Sequence, residues 1–182
     1  MLSEMAERGY SVGWRVYNSK DYGVPQSRER VYIAGYLGKT GGRWLLPKAR
    51  KSERAIKQVI GGAQGERVYD SSLSCTLSSQ GGGGGAKTGL YKFIDFSKKN
   101  PQTTEHARCL TARYDSDGSL CRIRKLTPKE CWRLQGFTDE QYEKAAAVNS
   151  KSQLYKQAGN AVTVNVTYEI GQHIVGFERE EI

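Results

Sequence analysis

Asp21-Tyr-Gly-Val-Pro-Gln-Ser-Arg-Glu-Arg-Val-Tyr-Ile33 is the stretch on which the reading of this chain turns. Its first five residues are turn chemistry, because Gly23 frees the backbone and Pro25 has no N–H to give to a strand ladder. Val31, Tyr32, Ile33 and Ala34 then make a short apolar strand that Gly35 ends. Upstream, Tyr10-Ser-Val-Gly-Trp-Arg-Val16 alternates, with Val12, Trp14 and Val16 on one face. Before that, Leu2, Met5 and Ala6 are interleaved with Ser3, Glu4, Glu7 and Arg8, which predicts an amphipathic helix over 2–8 that stops at Gly9. Residues 1–40 therefore read as helix, strand, turn, strand.

A chain of 182 residues is one ordinary domain or two small ones. With 37% hydrophobic and 26% charged residues, it is a globular protein and not a disordered tail. No apolar run approaches the ~18–20 residues needed to cross a bilayer, so no membrane partner is expected. Met1 opens no signal peptide. The four cysteines, at 75, 109, 121 and 131, form no CxxC pair, and two histidines leave a zinc site short of ligands. No metal site is expected, and reduced thiols suit a cytoplasmic protein.

The net charge of +9 is unevenly spread. Residues 41–125 hold sixteen Lys/Arg against seven Asp/Glu, whereas 1–40 hold six against four and 126–182 six against eight. The middle segment supplies the excess, which fits a polyanion contact made by one region. Charge alone does not separate that from a solvated basic surface. The same segment is glycine-rich, with Gly61-Gly62, Gly65 and the run Gly81 to Gly85, and has short β-compatible pieces at Arg67–Tyr69, Leu73–Leu77 and Leu90–Phe96. It reads as a small, loop-rich, mostly β unit, in which the glycine run is either a flexible linker or a functional loop.

From residue 126 the pattern changes to helices. Thr127-Pro-Lys-Glu130 joins a cap hydroxyl, a proline at the first helical position and a glutamate that can reach back, a capping box. Cys131 and Leu134 follow on one face, and Gly136 stops the helix. Thr138-Asp-Glu-Gln141 starts another by the same logic, running through 145–147. The last apolar segment fits two periods: Val162, Val164, Val166, Tyr168 and Ile170 alternate like a strand, while Val162, Val166, Ile170 and Ile174 stack like a helix.

Three blocks resemble cytosine-5 DNA methyltransferases, in that family's order. Asp21–Arg30 followed by Val-Tyr-Ile resembles the family's Gln-x-Arg-x-Arg motif; Arg124–Phe137 resembles the block that supports the target-recognition domain; Gln157-Ala-Gly-Asn-Ala-Val162 resembles the final motif. Between them, Gly61–Tyr69, Thr76–Gly83 and Ala86–Gly89 resemble the recognition domain of the HhaI-type branch, which reads GCGC. Gln80 departs from that pattern, which has an aromatic residue there, and residues 92–122 look longer. The resemblance implies an α/β fold: the C-terminal remainder of a Rossmann-like, S-adenosylmethionine-dependent methyltransferase domain plus a small, mostly β target-recognition domain. Residues 1–40 would end the catalytic domain, 41–125 would recognise DNA, and 126–182 would return as helices, with 161–174 helical.

Site roles carry over by position. Arg30 would contact a cytosine flipped out of the duplex, with Arg28 and Gln26 organising the same pocket. Asn160, Ala161 and Val162 would lie beside S-adenosylmethionine; Gly159-Asn160 also reads as a helix C-cap. Gln64 would fill the hole left by the flipped base. Glu66 and Arg67 would read base edges, since arginine can bind guanine in bidentate fashion and a carboxylate can accept from cytosine's amino group. Ser78, Gln80, Gly81, Gly82, Gly83 and Lys87 would form the second DNA-facing loop.

In this family a cysteine thiolate attacks carbon 6 of the flipped base, activating carbon 5 to take a methyl group. The Pro-Cys-Gln motif of that nucleophile does not occur here, because the cysteines follow Ser74, Arg108, Leu120 and Glu130. The Glu-Asn-Val motif and the glycine loop of the donor site do not occur either. The expectation is a bacterial or phage-type part of a DNA methyltransferase of a restriction-modification system, inactive alone. It would act with double-stranded DNA and a partner half carrying those motifs, or self-associate through faces that would otherwise pack on a central sheet. The competing expectation is a stand-alone DNA-binding module without catalysis.

Overall fold

In the computed structural model of the chain, the described residues are 2–38, 44–62, 66–78, 89–94 and 121–179. The helix α1 (Leu2–Glu7) leads into an antiparallel ribbon of β1 (Tyr10–Asn18) and β2 (Glu29–Leu37). The register pairs Trp14 with Ile33 and Val16 with Val31, so the alternation read from the sequence sorts one apolar set onto each face. The turn between the strands is a 3-10 turn at Ser19–Tyr22. It is capped by Asn18, whose side chain accepts from Lys20 N, and closed by Gly23 at φ +84°.

One ribbon face is covered. Tyr17 packs edge-on against Tyr22 and Tyr32, and these meet Leu46, Val166 and Ile170 in a buried cluster. The Tyr17 hydroxyl donates to the Pro47 carbonyl at 2.7 Å, which draws residues 44–50 across the ribbon. Burial pushes its phenol up to about 12.

A second sheet has the order β3 (Gln58–Ile60), β4 (Val68–Asp70), β5 (Leu90–Ile94), β6 (Cys121–Arg124). β4 and β5 run parallel, and the outer pairs run antiparallel. Gly89 allows that parallel pairing: its φ is +87°, and a Cβ there would lie 2.6 Å from the Tyr69 ring. Against this sheet pack α2 (Pro128–Leu134) and α4 (Lys151–Asn160), through a core of Leu77, Tyr91, Leu126, Cys131, Leu134 and Ala158, while α3 (Asp139–Ala146) packs on those two helices. The long helix α5 (Val164–Arg179) crosses back to the ribbon.

Both capping boxes form as read, at Thr127/Glu130 and Thr138/Gln141. Gly136 ends α2 at φ +86°, where a side chain would strike Asn165 at 2.6 Å. Three expectations need correction. The last helix starts at Val164, not 161, because 161–163 are held out of it by bonds described below. Gly159 does not terminate a helix by a left-handed turn; it lies buried inside α4, whose C-cap is Ala161. Leu73–Leu77 forms no regular strand, only a single bridge between Ser74 and Gln26. The expected strand at 90–96 is β5 as far as Ile94, and residues 95–96 lie outside the described residues.

Candidate functional site

The Gln26–Arg30 stretch sits where the ribbon, the 73–78 segment and the end of α4 meet. Ser27 N donates to Ser74 O and Ser74 N to Pro25 O, each at 2.8 Å, and the Thr76 hydroxyl donates to Ser27 O. Gln26 is fully buried, and its carboxamide makes no hydrogen bond among the described residues. Arg28 is buried too, and its guanidinium donates to three carbonyls: Leu77 at 3.1 Å, Gly159 at 2.7 Å and Ala161 at 3.1 Å. Desolvation by burial, with a smaller push from the Arg30 charge, lowers its pKa to about 10, so it stays charged at neutral pH. Carbonyl dipoles take the place of a counter-ion.

Arg30, two residues on and on the same strand face, is exposed. Its Nη1 donates to Glu29 O at 2.6 Å. The expected pair thus divides: Arg28 is committed to the interior, and Arg30 is the one available to a ligand.

Gln135, within the Arg124–Phe137 block, completes the junction. It is fully buried; its amide donates to Ala158 O at 2.8 Å, its Oε1 accepts from the Thr163 hydroxyl at 3.0 Å, and its carbonyl accepts from Val164 N at 2.8 Å. Together with Arg28 it pins both sides of residues 159–163. The backbone there leaves α4 extended at Ala161, with ψ 157°, before α5 begins. Asn160 is exposed, Ala161 half-buried and Val162 exposed. The only signal for Gln135 in the sequence was an amide just before the glycine that ends α2.

Among the expected DNA-facing residues, Glu66 and Arg67 are exposed at the start of β4. Arg67 Nε donates to Gly62 O at 3.0 Å, and Arg67 O accepts from Leu90 N. Ser78 is half-buried and directly follows Leu77, one of the Arg28 acceptors. Gln64, Gln80, Gly81, Gly82, Gly83 and Lys87 lie outside the described residues. The Cys131 thiol is buried and pushed up to about 12 by that burial, so it supplies no thiolate at neutral pH. Cys75 is half-buried, with its backbone N–H donating to the Tyr91 hydroxyl at 3.0 Å.

The sequence pattern of C-5 cytosine-specific DNA methylases matches residues 1–76 and 50–176, and the chain belongs to that family. Among curated relatives, the type II methyltransferase M.SsoII of Shigella sonnei is 29% identical over 192 aligned positions, covering 94% of this chain and 46% of that protein. The orphan methyltransferase M.SPBetaI of Bacillus phage SPbeta is 60% identical over 55 residues, 30% of this chain and 12% of that one. The chain spans about half the length of the curated relatives that it matches from end to end. In fold it is similar to the methyltransferase EhMeth of Entamoeba histolytica, with a TM-score of 0.64 at 14% identity, covering 96% of this chain and 56% of that one. The Dnmt2 methyltransferase of S. pombe gives 0.62 at 15% identity, covering 96% and 59%. In architecture the chain is similar to part of the α/β methyltransferase fold of these neighbours. Among the described residues, no helix is long and apolar enough to cross a membrane.

Proposed function

We propose that this chain is the DNA-reading part of a cytosine-5 DNA methyltransferase, inactive without the part of that fold that carries the nucleophilic cysteine. In this reading, residues 1–40 and 126–182 belong to the catalytic domain, a remainder of its Rossmann-like sheet and helices, and 41–125 form the target-recognition domain. The observation that carries it is the Arg28 junction. One buried guanidinium ties the Gln-x-Arg-x-Arg stretch to Leu77, at the entrance of the second DNA-facing loop, and to Gly159 and Ala161 in the final motif. Base recognition and the pocket for the flipped cytosine thereby share one rigid joint.

Arg30 would stabilise charge on the carbonyl oxygen of the flipped cytosine, as an exposed guanidinium on a fixed strand can. Arg28 and Gln26 would hold that strand in place. Asn160 and Val162, exposed on either side of Ala161, offer an amide and an apolar surface at one bend, which fits the mixed polar and apolar character of S-adenosylmethionine. When bound, that cofactor supplies the methyl group. Gln64, Glu66 and Arg67 would enter the duplex from the first loop, and Ser78, Gln80, Gly81, Gly82, Gly83 and Lys87 would meet it from the second. Cys131 is buried with a raised pKa and does not fit the nucleophile's role. The setting would be the cytoplasm of a bacterium or phage-infected cell, as a restriction-modification or orphan enzyme.

The target proposed is GCGC. Fluorescence anisotropy at fixed salt, with a GCGC duplex and one differing by a single base pair, tests the reading. The chain should favour GCGC, and Arg67→Ala should erase the preference while leaving non-specific binding in place. Equal affinity of the wild type for both duplexes would exclude GCGC as the site.

A further inference from the structure

Residues 47–57 join the ribbon to the second sheet without helix, turn or bend. The stretch Pro47-Lys-Ala-Arg-Lys-Ser-Glu-Arg-Ala-Ile-Lys57 carries five cations and one acid. A charged run of this kind repels itself and is by default a loose linker, yet here it is tied down along its length. The Tyr17 hydroxyl donates to Pro47 O at 2.7 Å, Arg50 N to the Tyr22 hydroxyl at 3.3 Å, and Ser52 N to Asp21 Oδ1 at 2.8 Å. Lys20 Nζ donates to Arg54 O at 2.7 Å, and Asp70 N to Lys57 O at 2.9 Å. Each bond uses a backbone atom of this strap, so its side chains are not needed for the anchoring. Arg50 turns its own to Glu169 and the Tyr22 ring. Lys48, Lys51 and Arg54 are exposed and make no ion pair among the described residues.

We propose that the strap is a further DNA-contact surface, on which Lys48, Lys51 and Arg54 bind the phosphate backbone of a duplex beside the two recognition loops. The inference rests on the proposed function and adds to it a contact that reads no base. Three observations favour this occupant. First, the anchors at Tyr17, Lys20, Asp21 and Tyr22 lie at the tip of the ribbon, where Arg30 pairs with Tyr17. Asn18 Oδ1 accepts from both Lys20 N and Arg28 N at 3.1 Å, so the turn that holds the strap also holds the Gln26–Arg30 stretch. Second, the strap runs directly into β3, which pairs with β4, and Glu66 and Arg67 are exposed at the start of β4. It therefore bridges the two places proposed to touch the DNA. Third, the three cations recur at intervals of three residues. An extended chain covers at most about 10 Å in such a step, close to three nucleotide rises of about 3.4 Å along one strand of DNA.

The probe is a labelled duplex carrying GCGC, or the same duplex with one base pair changed, titrated with the full chain by fluorescence anisotropy at about 50 to 200 mM salt. Lys48→Gln, Lys51→Gln and Arg54→Gln together should reduce the slope of log affinity against log salt by about 2.7, at about 0.9 for each phosphate. Affinity should fall equally for both duplexes, because phosphate contacts carry no sequence information. The charge-keeping triple Lys48→Arg, Lys51→Arg and Arg54→Lys should retain the wild-type slope. So should Lys144→Gln, Lys151→Gln and Lys156→Gln, which remove the same charge from exposed sites on α3 and α4. The urea midpoint of the glutamine strap variant should match the wild type, since the anchors use backbone atoms. The inference is overturned if the wild-type chain binds neither duplex at the lowest salt, or if the glutamine strap variant keeps the wild-type slope. A loss as large in the α3–α4 variant or in the charge-keeping triple overturns it too. The proposed function fails differently: the wild type holds both duplexes equally, while the strap variant still loses its salt slope.

Discussion

Replacing Arg28 by methionine keeps most of the side-chain volume and removes all three hydrogen bonds to the carbonyls of Leu77, Gly159 and Ala161. A buried acceptor left without a donor costs about 1–3 kcal/mol, so three give a gross loss of roughly 3–9 kcal/mol. Against this stands relief of the cation's desolvation, which is several kcal/mol per buried ion and is the cause of the lowered Arg28 pKa. Water entering at Ala161, which is only half-buried, reduces the loss further. The net expectation is a destabilisation of about 2–4 kcal/mol. Arg28→Lys keeps the charge, but a single ammonium on a shorter reach cannot serve three separate carbonyls, so it should fall between methionine and wild type. Urea unfolding followed by circular dichroism measures this, with an unchanged slope marking a change in stability alone. Hydrogen exchange should also show faster opening at 76–78 and 160–163 together, since one side chain holds both segments. A methionine variant within about 0.5 kcal/mol of wild type, below the usual effect of a buried network, would refute the view of Arg28 as the joint.

Glu130 is held at a pKa of about 2, first by its hydrogen bond to Arg124 and also by the capping contacts from Thr127, so its stabilisation is present above its ordinary 4.5 and lost as pH falls from there through 2. Glu130→Gln should cost roughly 1–2 kcal/mol at pH 7, and the gap to wild type in urea midpoints should close over that window; a gap independent of pH contradicts the assignment. Gly89→Ala meets both a positive φ and the Tyr69 ring, and should lower stability by about 2–3 kcal/mol; a neutral result in the same assay would mean β5 can shift freely. Cys131 should resist iodoacetamide at pH 8 while Cys75 is labelled in the native state, as read by peptide mass mapping; rapid native labelling of Cys131 contradicts its burial and raised pKa.

Local structure was legible where one residue type does one physical job. Thr127 with Glu130 and Thr138 with Gln141 announced their helices, since each pair satisfies backbone donors that nothing else would. The alternation at 10–16 and the Gly23/Pro25 interruption gave the ribbon. What stayed hidden depended on partners far along the chain. Arg28 and Arg30 look equivalent two residues apart, and only the carbonyls of Leu77, Gly159 and Ala161 decide which is buried. Gln135 is an amide among many until Ala158 and Thr163 are brought to it. The helix α4 was not read, because its buried set is only Leu154, Ala158 and Gly159 on an otherwise polar segment. The start of α5 was misplaced because Val162, Val164 and Val166 satisfy both periods, and tertiary bonds from Gln135 and Arg28 fix the boundary. Short strands such as β3 and β6 carry too few residues for a period to show. The family blocks were legible as a set, and the sequence pattern of C-5 cytosine-specific DNA methylases matches the chain across all three.

The most direct measurement is methyl transfer itself. The chain, a cytosine-5 methyltransferase segment bearing Pro-Cys-Gln and Glu-Asn-Val, and their mixture would each be incubated with duplex DNA and radiolabelled S-adenosylmethionine, with bisulfite sequencing to locate any 5-methylcytosine. The expected result is methylation by the mixture only, at one defined site, and its loss on Arg30→Ala with the complex intact. Methylation by the chain alone, or an inert mixture in which the complex has formed, would contradict the assignment of this chain as the DNA-reading part of a cytosine-5 methyltransferase.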